Sequence, residues 1–375
     1  MSADRPTFAS RIAAWCLETP RWRFLAALFV VMFFRTGITC VAKDFLPIAK
    51  DPYHNLFTNP YEHYLMWSWL GPYLAHLIGA TSTLTFSLFY LAFSVLFTVL
   101  MVRWMFARLP EELARVAMLV FAALPVSASP YFWVFTDSLT LFLLAVALYF
   151  PRNLPVVAVL GVAVGMQHFE QGAFAAAAAT FALLWAQRRG HTLDYRWPWA
   201  AALLVGTIVG KLVLVWIFAH LEIHVNSGRL YWLIGSWKML LSRFGASYHY
   251  AIYSAFGTGW LVVLLFLRQR GPAALPVGLT ILGLLLLIPI SDDPTRVFAN
   301  TSFVLVCVFL LANRAFLGSL SRETIGWLVV LTCAAPWVFV WAGKPLGSAA
   351  FHDLAWIGRH WLHIPNSIRD PRFPI

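Results

Sequence analysis

Residues 84–102 read LTFSLFYLAFSVLFTVLMV, nineteen positions without a charge, with Arg103 immediately after. A helix rises 1.5 Å per residue, so such a run matches the hydrocarbon thickness of a bilayer, where a helix satisfies its own backbone. The rest of the chain repeats the pattern. Of its 375 residues 61% are hydrophobic and 11% charged, whereas soluble domains carry roughly 25% charged residues and need them to face water. A soluble globular protein is excluded. The apolar runs also far exceed the roughly 10-residue alternating segments of an outer-membrane barrel. The expected fold is therefore an all-α integral membrane protein.

Further runs fall at 24–42, 116–129, 138–150, 156–167, 172–186, 199–221, 251–267, 275–290, 298–312 and 325–340, which makes about eleven spans. The first follows Arg5, Arg11, Arg21 and Arg23 and lacks a small-residue cleavage site. It reads as an uncleaved anchor with the N-terminus in the cytoplasm. Alternation then puts Arg103, Arg108, Arg115, Arg152, Arg188, Arg189, Arg196, Arg268, Arg270, Arg314 and Arg322 on the N-terminal side. That is the positive-inside pattern of a cytoplasmic membrane protein. The net charge of +11 is scattered between spans, so it reads as topology and no nucleic-acid partner is expected. Cys16, Cys40, Cys307 and Cys333 have no C-x-x-C spacing, and neither a disulfide framework nor a zinc site is implied.

Three longer segments reach the outer face: 43–83, 222–250 and the tail 343–375. Each is rich in Trp, Tyr, Leu and Pro, as expected of interfacial helices. Residues 1–190 form an N-terminal transmembrane module that includes the loop 43–83. Residues 191–342 supply further transmembrane helices, and 343–375 an outer interfacial tail. The GxxxG pairs 161–165 and 206–210 suit close helix packing.

Ten of the sixteen acidic residues map to the outer face. Five of them, Asp44, Asp137, Glu170, Asp292 and Asp293, lie at span ends or in short turns. Carboxylates at membrane depth are costly and are usually held near a cavity, a cation or a partner. In the first outer loop, 43–55 (KDFLPIAKDPYHN), Asp44 is placed to take a proton from a hydroxyl at the boundary, where desolvation raises its pKa; otherwise it pairs with Lys43 or Lys50. Asp51 is a second candidate base, and His54 a candidate substrate contact. In 291–298 (SDDPTRVF), Arg296 can grip a phosphate bidentately while Asp292 or Asp293 orients it or binds a divalent cation; the alternative is a capped helix start. His168, Glu170 and Asp137 are candidates for hydrogen-bonding a sugar, with Asp137 equally suited to capping a helix. Lys238 and Arg243 suit a lipid phosphate. Arg35 is expected to snorkel outward, and Lys211, deeper in its span, to need a partner or a cavity.

No Walker A, G-x-S-x-G or H-E-x-x-H motif occurs, so ATP-driven transport, serine hydrolysis and zinc proteolysis have no support.

The order of these features resembles the GT-C superfamily of polytopic glycosyltransferases: one N-terminal span, an acid directly after it (Asp44, with Asp51 behind), a loop of interfacial helices, then 69–79 (WLGPYLAHLIG) leading into the second span. Pro125 and 131–139 (YFWVFTDSL) resemble the family's turn before its fourth span, and 292–298 is a weaker echo. The resemblance covers roughly the first 190 residues. It implies sugar transfer from a polyprenyl-phosphate-linked donor to an envelope glycan or lipid acceptor. Asp44 or Asp51 would be base or metal ligand, and Arg296, Arg243 and Lys238 would hold the carrier phosphate. The chain lacks the family's tight Asp-x-Asp or Asp-Glu pair, which leaves metal dependence and the choice of base open. It also lacks a large soluble C-terminal domain, which argues against a protein-glycosylating oligosaccharyltransferase. The alternative expectation is a carrier or flippase for a lipid-linked anion, motivated by Arg35, Lys211 and the same basic outer groups, Arg296, Arg243 and Lys238.

Overall fold

A computed structural model describes residues 6–38, 42–132, 136–190, 193–226, 229–269, 274–286, 288–335 and 337–347. The chain begins with α1 (Phe8–Glu18) and α2 (Arg21–Thr36) and crosses the first loop through α3 (Leu46–Lys50) and a 3-10 stretch, Pro60–Ser68, before α4 (Leu70–Leu77). Helices α5 (Thr83–Arg108), α6 (Glu111–Ala123), α7 (Pro125–Phe132), α8 (Thr136–Ala147), α9 (Leu154–Arg188) and α10 (Trp197–His220) follow. The remainder comprises α11 (Arg229–Phe256), α12 (Trp260–Arg268), α13 (Ala274–Leu285), α14 (Pro294–Ala312), α15 (Arg314–Ser319) and α16 (Arg322–Ala334).

Among the described residues four helices are long and apolar enough to cross a membrane: Thr83–Arg108, Trp197–His220, Leu233–Arg268 and Pro294–Ala312. The α6 and α7 pair, bent by 55°, makes a fifth if it is one span. The sequence count of about eleven is therefore corrected. Apolar periodicity reports burial, not length: α8 and α13 have 12 residues each and α16 has 13, short of the roughly 20 that a span needs.

The expected reversal between 156–167 and 172–186 occurs within α9. His168 leaves helical geometry (φ −160°, ψ 78°), and a Cβ on Gly172 would collide with Val164 Cγ1. Eight residues apart on a straight helix is about 12 Å, so the chain folds back at His168 and makes two arms. Both arms lie on α10. Gly161 and Gly165 face Gly206 and Gly210 so closely that a Cβ at Gly210 would strike Val162 O. The two GxxxG motifs thus form one seam.

One end of the molecule carries a set of tethering arginines. Arg115, buried, donates to Cys16 O (3.0 Å) and Thr19 O (2.7 Å) and pairs with Glu111. Arg108 pairs with Asp194 at 2.7 Å and Arg322 with Glu18 at 2.8 Å. Helix α1 rests on α16, where Ala9 O occupies the space a Cβ on Gly326 would need.

The opposite end departs from an all-α fold. Strands β1 (Val338–Trp341) and β2 (Lys344–Gly347) pair antiparallel around Ala342 and Gly343, both at positive φ, a two-residue hairpin turn. Ala342 N donates to Asp292 O (2.8 Å) and Val340 N to Thr295 Oγ1 (3.0 Å). The hairpin therefore ties down the start of α14 and replaces the end of the expected span 325–340. Of the expected tail, 348–375 lies outside the described residues. Arg35 does not snorkel. It is buried, donates to Ala122 O (3.4 Å), Ala335 O (3.4 Å) and Thr258 Oγ1 (3.3 Å), and lies 4.2 Å from the Trp337 ring.

Gly210→Val should break the α9–α10 seam. Its first methyl meets backbone, which cannot rotate away, so the variant should lose about 2 kcal/mol or more. Thermal melting monitored by size exclusion in detergent should drop sharply, whereas Gly245→Ala, where a Cβ meets nothing within 4 Å, should leave it within a few degrees.

Candidate functional site

The first turn of α14 opens with Asp293 at the N-cap and Pro294 at the first helical position, so Asp293, Arg296 and Asn300 follow one another along one face. Arg296 Nε lies 2.7 Å from Asp293 Oδ2 and 3.1 Å from Asp137 Oδ2. Asp137 stands in the first turn of α8 and is fully buried. Among the described residues neither of its oxygens accepts a hydrogen bond, so it is held by charge and does not serve as a cap. Two helix N-termini converge on these carboxylates, and their dipoles favour negative charge there.

The fold-back of α9 delivers the next layer. His168 Nε2 is 4.0 Å from Asp137 Oδ1, and its Nδ1 is 4.0 Å from Glu170 Oε2. The His168 ring is buried, whereas the Glu170 side chain is 30% exposed. Gln167 Nε2 donates to Thr136 O (3.0 Å), and Gln167 Oε1 accepts from Gly71 N (2.6 Å). Asn300 Nδ2 donates to Gln171 Oε1 at 3.0 Å. Gln167, Gln171 and Asn300 were not singled out from sequence. Their signal was there: polar residues at i, i+3 and i+7 in α14 (Asp293, Arg296, Asn300), and Gln167 and Gln171 on either side of His168 in α9, on otherwise apolar helices.

The first loop reaches this cluster. Asp44 is exposed and, with Tyr64, lies within electrostatic range of the Arg296 guanidinium. Within the segment 43–83 Trp69 stacks on Tyr73 (centroids 4.2 Å apart) and Trp69 Nε1 donates to Pro52 O (2.9 Å). Lys211 has found the partner it needed: its Nζ sits 3.2 Å from the Trp67 ring centroid and 5.7 Å from that of Phe169, a cation–π contact that offsets burial of its charge.

Six of the expected residues thus share one region: Asp44, Asp137, His168, Glu170, Asp293 and Arg296. The others do not join them directly. Asp51 closes a local turn, accepting from Tyr53 N (3.1 Å) and pairing with His54 Nδ1 at 2.8 Å. Partial desolvation pushes its pKa up, but these hydrogen bonds outweigh it and hold Asp51 below the usual carboxylate range. Asp292 pairs with Arg243 at 2.5 Å. Lys238 is exposed beside the Trp237 ring, 5.7 Å from its centroid. Among the described residues no group of three or more His, Cys, Asp or Glu is placed to hold a metal ion.

The charge balance redefines Arg296. One guanidinium between Asp137 and Asp293 leaves a net negative cluster when both are ionised, which repels a phosphate. Burial pushes Asp293 up to about 6 against the attraction of Arg296, and Asp137 and Asp292 add to the rise. The oxygens gathered here are acceptors, which suit hydroxyl groups better than an anion.

The comparisons with known proteins add no family: no family model, curated protein or solved structure matches this chain.

Asp293 makes stability depend on pH. Its folded-state pKa lies above the ordinary 3.8, so its contribution is full below that value and is lost as pH rises through about 6. Asp293→Asn removes this titration. The melting temperature of the variant relative to wild type should rise from about pH 4.5 to about pH 7.5, by the equivalent of about 1–3 kcal/mol; a flat difference would deny the burial penalty.

Proposed function

We propose that this chain is a GT-C-type membrane glycosyltransferase, an enzyme of the cytoplasmic membrane with its N-terminus in the cytoplasm and its active site and C-terminus outside. It moves a sugar, a hexosyl or pentosyl unit, from a polyprenyl-phosphate-linked donor to an envelope glycan or lipid acceptor. The observation that carries this reading is the gathering of Asp44, Asp137, His168, Glu170, Asp293 and Arg296 at the end opposite the arginines. They come from four separate stretches of chain and meet beneath an aromatic-rich loop.

Asp44 is the base. It is exposed, so an acceptor can reach it, and it faces the buried acid and guanidinium set. Asp44 takes the proton from the acceptor hydroxyl as that oxygen bonds to the anomeric carbon. The bond from that carbon to the phosphate oxygen breaks, and polyprenyl phosphate leaves with the electron pair. Asp137 and Asp293, fixed by Arg296, accept hydrogen bonds from sugar hydroxyls. Lys238, exposed and without a carboxylate against it among the described residues, receives the phosphate, the role that Arg296 and Arg243, both paired with carboxylates, are too neutralised to fill. The donor arrives through the membrane, so no cytosolic nucleotide site is needed. Carrier or flippase activity has less behind it, because Arg35 and Lys211, the cations within spans that motivate it beside the outer basic groups, are both engaged inside the protein.

Mass spectrometry of envelope glycans and lipid-linked sugars, from a deletion strain complemented in turn with each variant, tests this. Wild type and Asp51→Asn should restore one sugar-sized mass increment. Asp44→Asn should lose it by about 100-fold or more at equal protein level. Full restoration by Asp44→Asn removes the base, and an accumulating lipid-linked precursor with no glycan change favours transport.

A further inference from the structure

Far from the acid cluster, an apolar groove of about 150 Å³ opens between the second arm of α9, α12, α13 and α14. Phe181, Trp185, Val262, Phe266, Ile281 and Phe309 are among its walls, and among the described residues no carboxylate lines it. It opens on the outside of the bundle: Phe181 is 50% exposed, and Leu264, Leu279 and Leu282 on the same helices are more than half exposed. At bilayer depth such a groove stays dry, and an empty one forfeits dispersion contacts along its walls, so hydrocarbon fills it.

Its arginine-end mouth says which hydrocarbon. Ala186 and Asn313 line the groove where α9 and α14 end, and Arg189, Arg268 and Arg314 lie within three residues of lining positions. All three are exposed. The Arg189 guanidinium lies 5.0 Å from the Trp185 ring centroid. Trp185 Nε1 is buried with no hydrogen-bond partner among the described residues, a donor left for an acceptor that enters. Three cations and one spare N–H above an apolar slot match a phosphate headgroup above an acyl chain.

We propose that this groove binds an anionic phospholipid from the leaflet at the arginine end, with an acyl chain between α9 and α13 and the phosphate among Arg189, Arg268 and Arg314. The site is separate from the proposed sugar-transfer site and does not depend on that reading. The lipid fills the gap between α9 and the α12–α13 pair and braces the arm that ends far from His168.

The full chain in phosphatidylcholine vesicles, given a trace of phosphatidylglycerol with a photoactivatable acyl chain, provides the test. Crosslinks mapped by mass spectrometry should concentrate in residues 181–186 and 277–284, at least about fivefold above those from the matching phosphatidylcholine probe. Removing Arg189, Arg268 and Arg314 together should bring the first probe down to the level of the second, and Ala182→Phe, which fills the slot, should cut both. Equal labelling by the two wild-type probes overturns the proposal without any variant, as does labelling spread evenly around the bundle. Displacement by polyprenyl phosphate but not by excess phosphatidylglycerol assigns the groove to the carrier and also overturns it.

Discussion

A guanidinium buried between two carboxylates at the end of a membrane bundle is an expensive arrangement, and the placement of Arg296 between Asp137 and Asp293 constrains everything near it. Removing Arg296 leaves two carboxylates facing each other where water cannot reach them. The N-termini of α8 and α14 supply the remaining stabilisation through their dipoles, so both helices must start at this point. Their starts are in turn fixed by neighbours: Thr136 O by Gln167, Thr295 Oγ1 by the backbone of β1, and Asp292 by Arg243 and Ala342 N.

The glycine seam explains how α9 can serve this cluster. Without Cβ atoms at Gly161, Gly165, Gly206 and Gly210, its first arm lies directly on the backbone of α10. With Gly172 the second arm folds back across Val164. The fold-back at His168 carries Gln167, His168, Glu170 and Gln171 to the charged end in one step. Packing at the seam and chemistry at the cluster are thus one piece of architecture. The tethers among Glu111, Arg115, Arg108 and Asp194 hold the other end of the bundle.

Much of this was legible in the sequence because the signals were strong against an apolar background. Charges in a chain with 11% charged residues are few, and those at span ends, such as Asp137 and Asp293, did converge. The membrane character and the reversal near His168 also follow from the runs. The number of full spans did not, because a 12-residue apolar helix such as α8 reads like a truncated span when only its composition is visible. Arg35 was misread for a related reason. Sequence places it near a helix end, where snorkelling is cheap, but cannot show the Ala122 and Ala335 carbonyls and the Trp337 ring arriving from distant segments. The hairpin of β1 and β2 was hidden because its strands of four residues carry too little periodicity to stand out from the apolar helix before them. The neutralisation of Arg296 was likewise invisible, since Asp137 lies 159 positions away.

The Arg296–Asp137 pair is the keystone of this end of the molecule. A double-mutant cycle on equilibrium unfolding in mixed micelles tests it most directly. Arg296→Met, which leaves Asp137 and Asp293 buried against each other, should cost about 3–5 kcal/mol, and adding Asp137→Leu should recover most of that loss, because Asp293, the carboxylate that remains, can take up a proton. Additive losses, or an Arg296→Met variant within about 0.5 kcal/mol of wild type, would contradict the account.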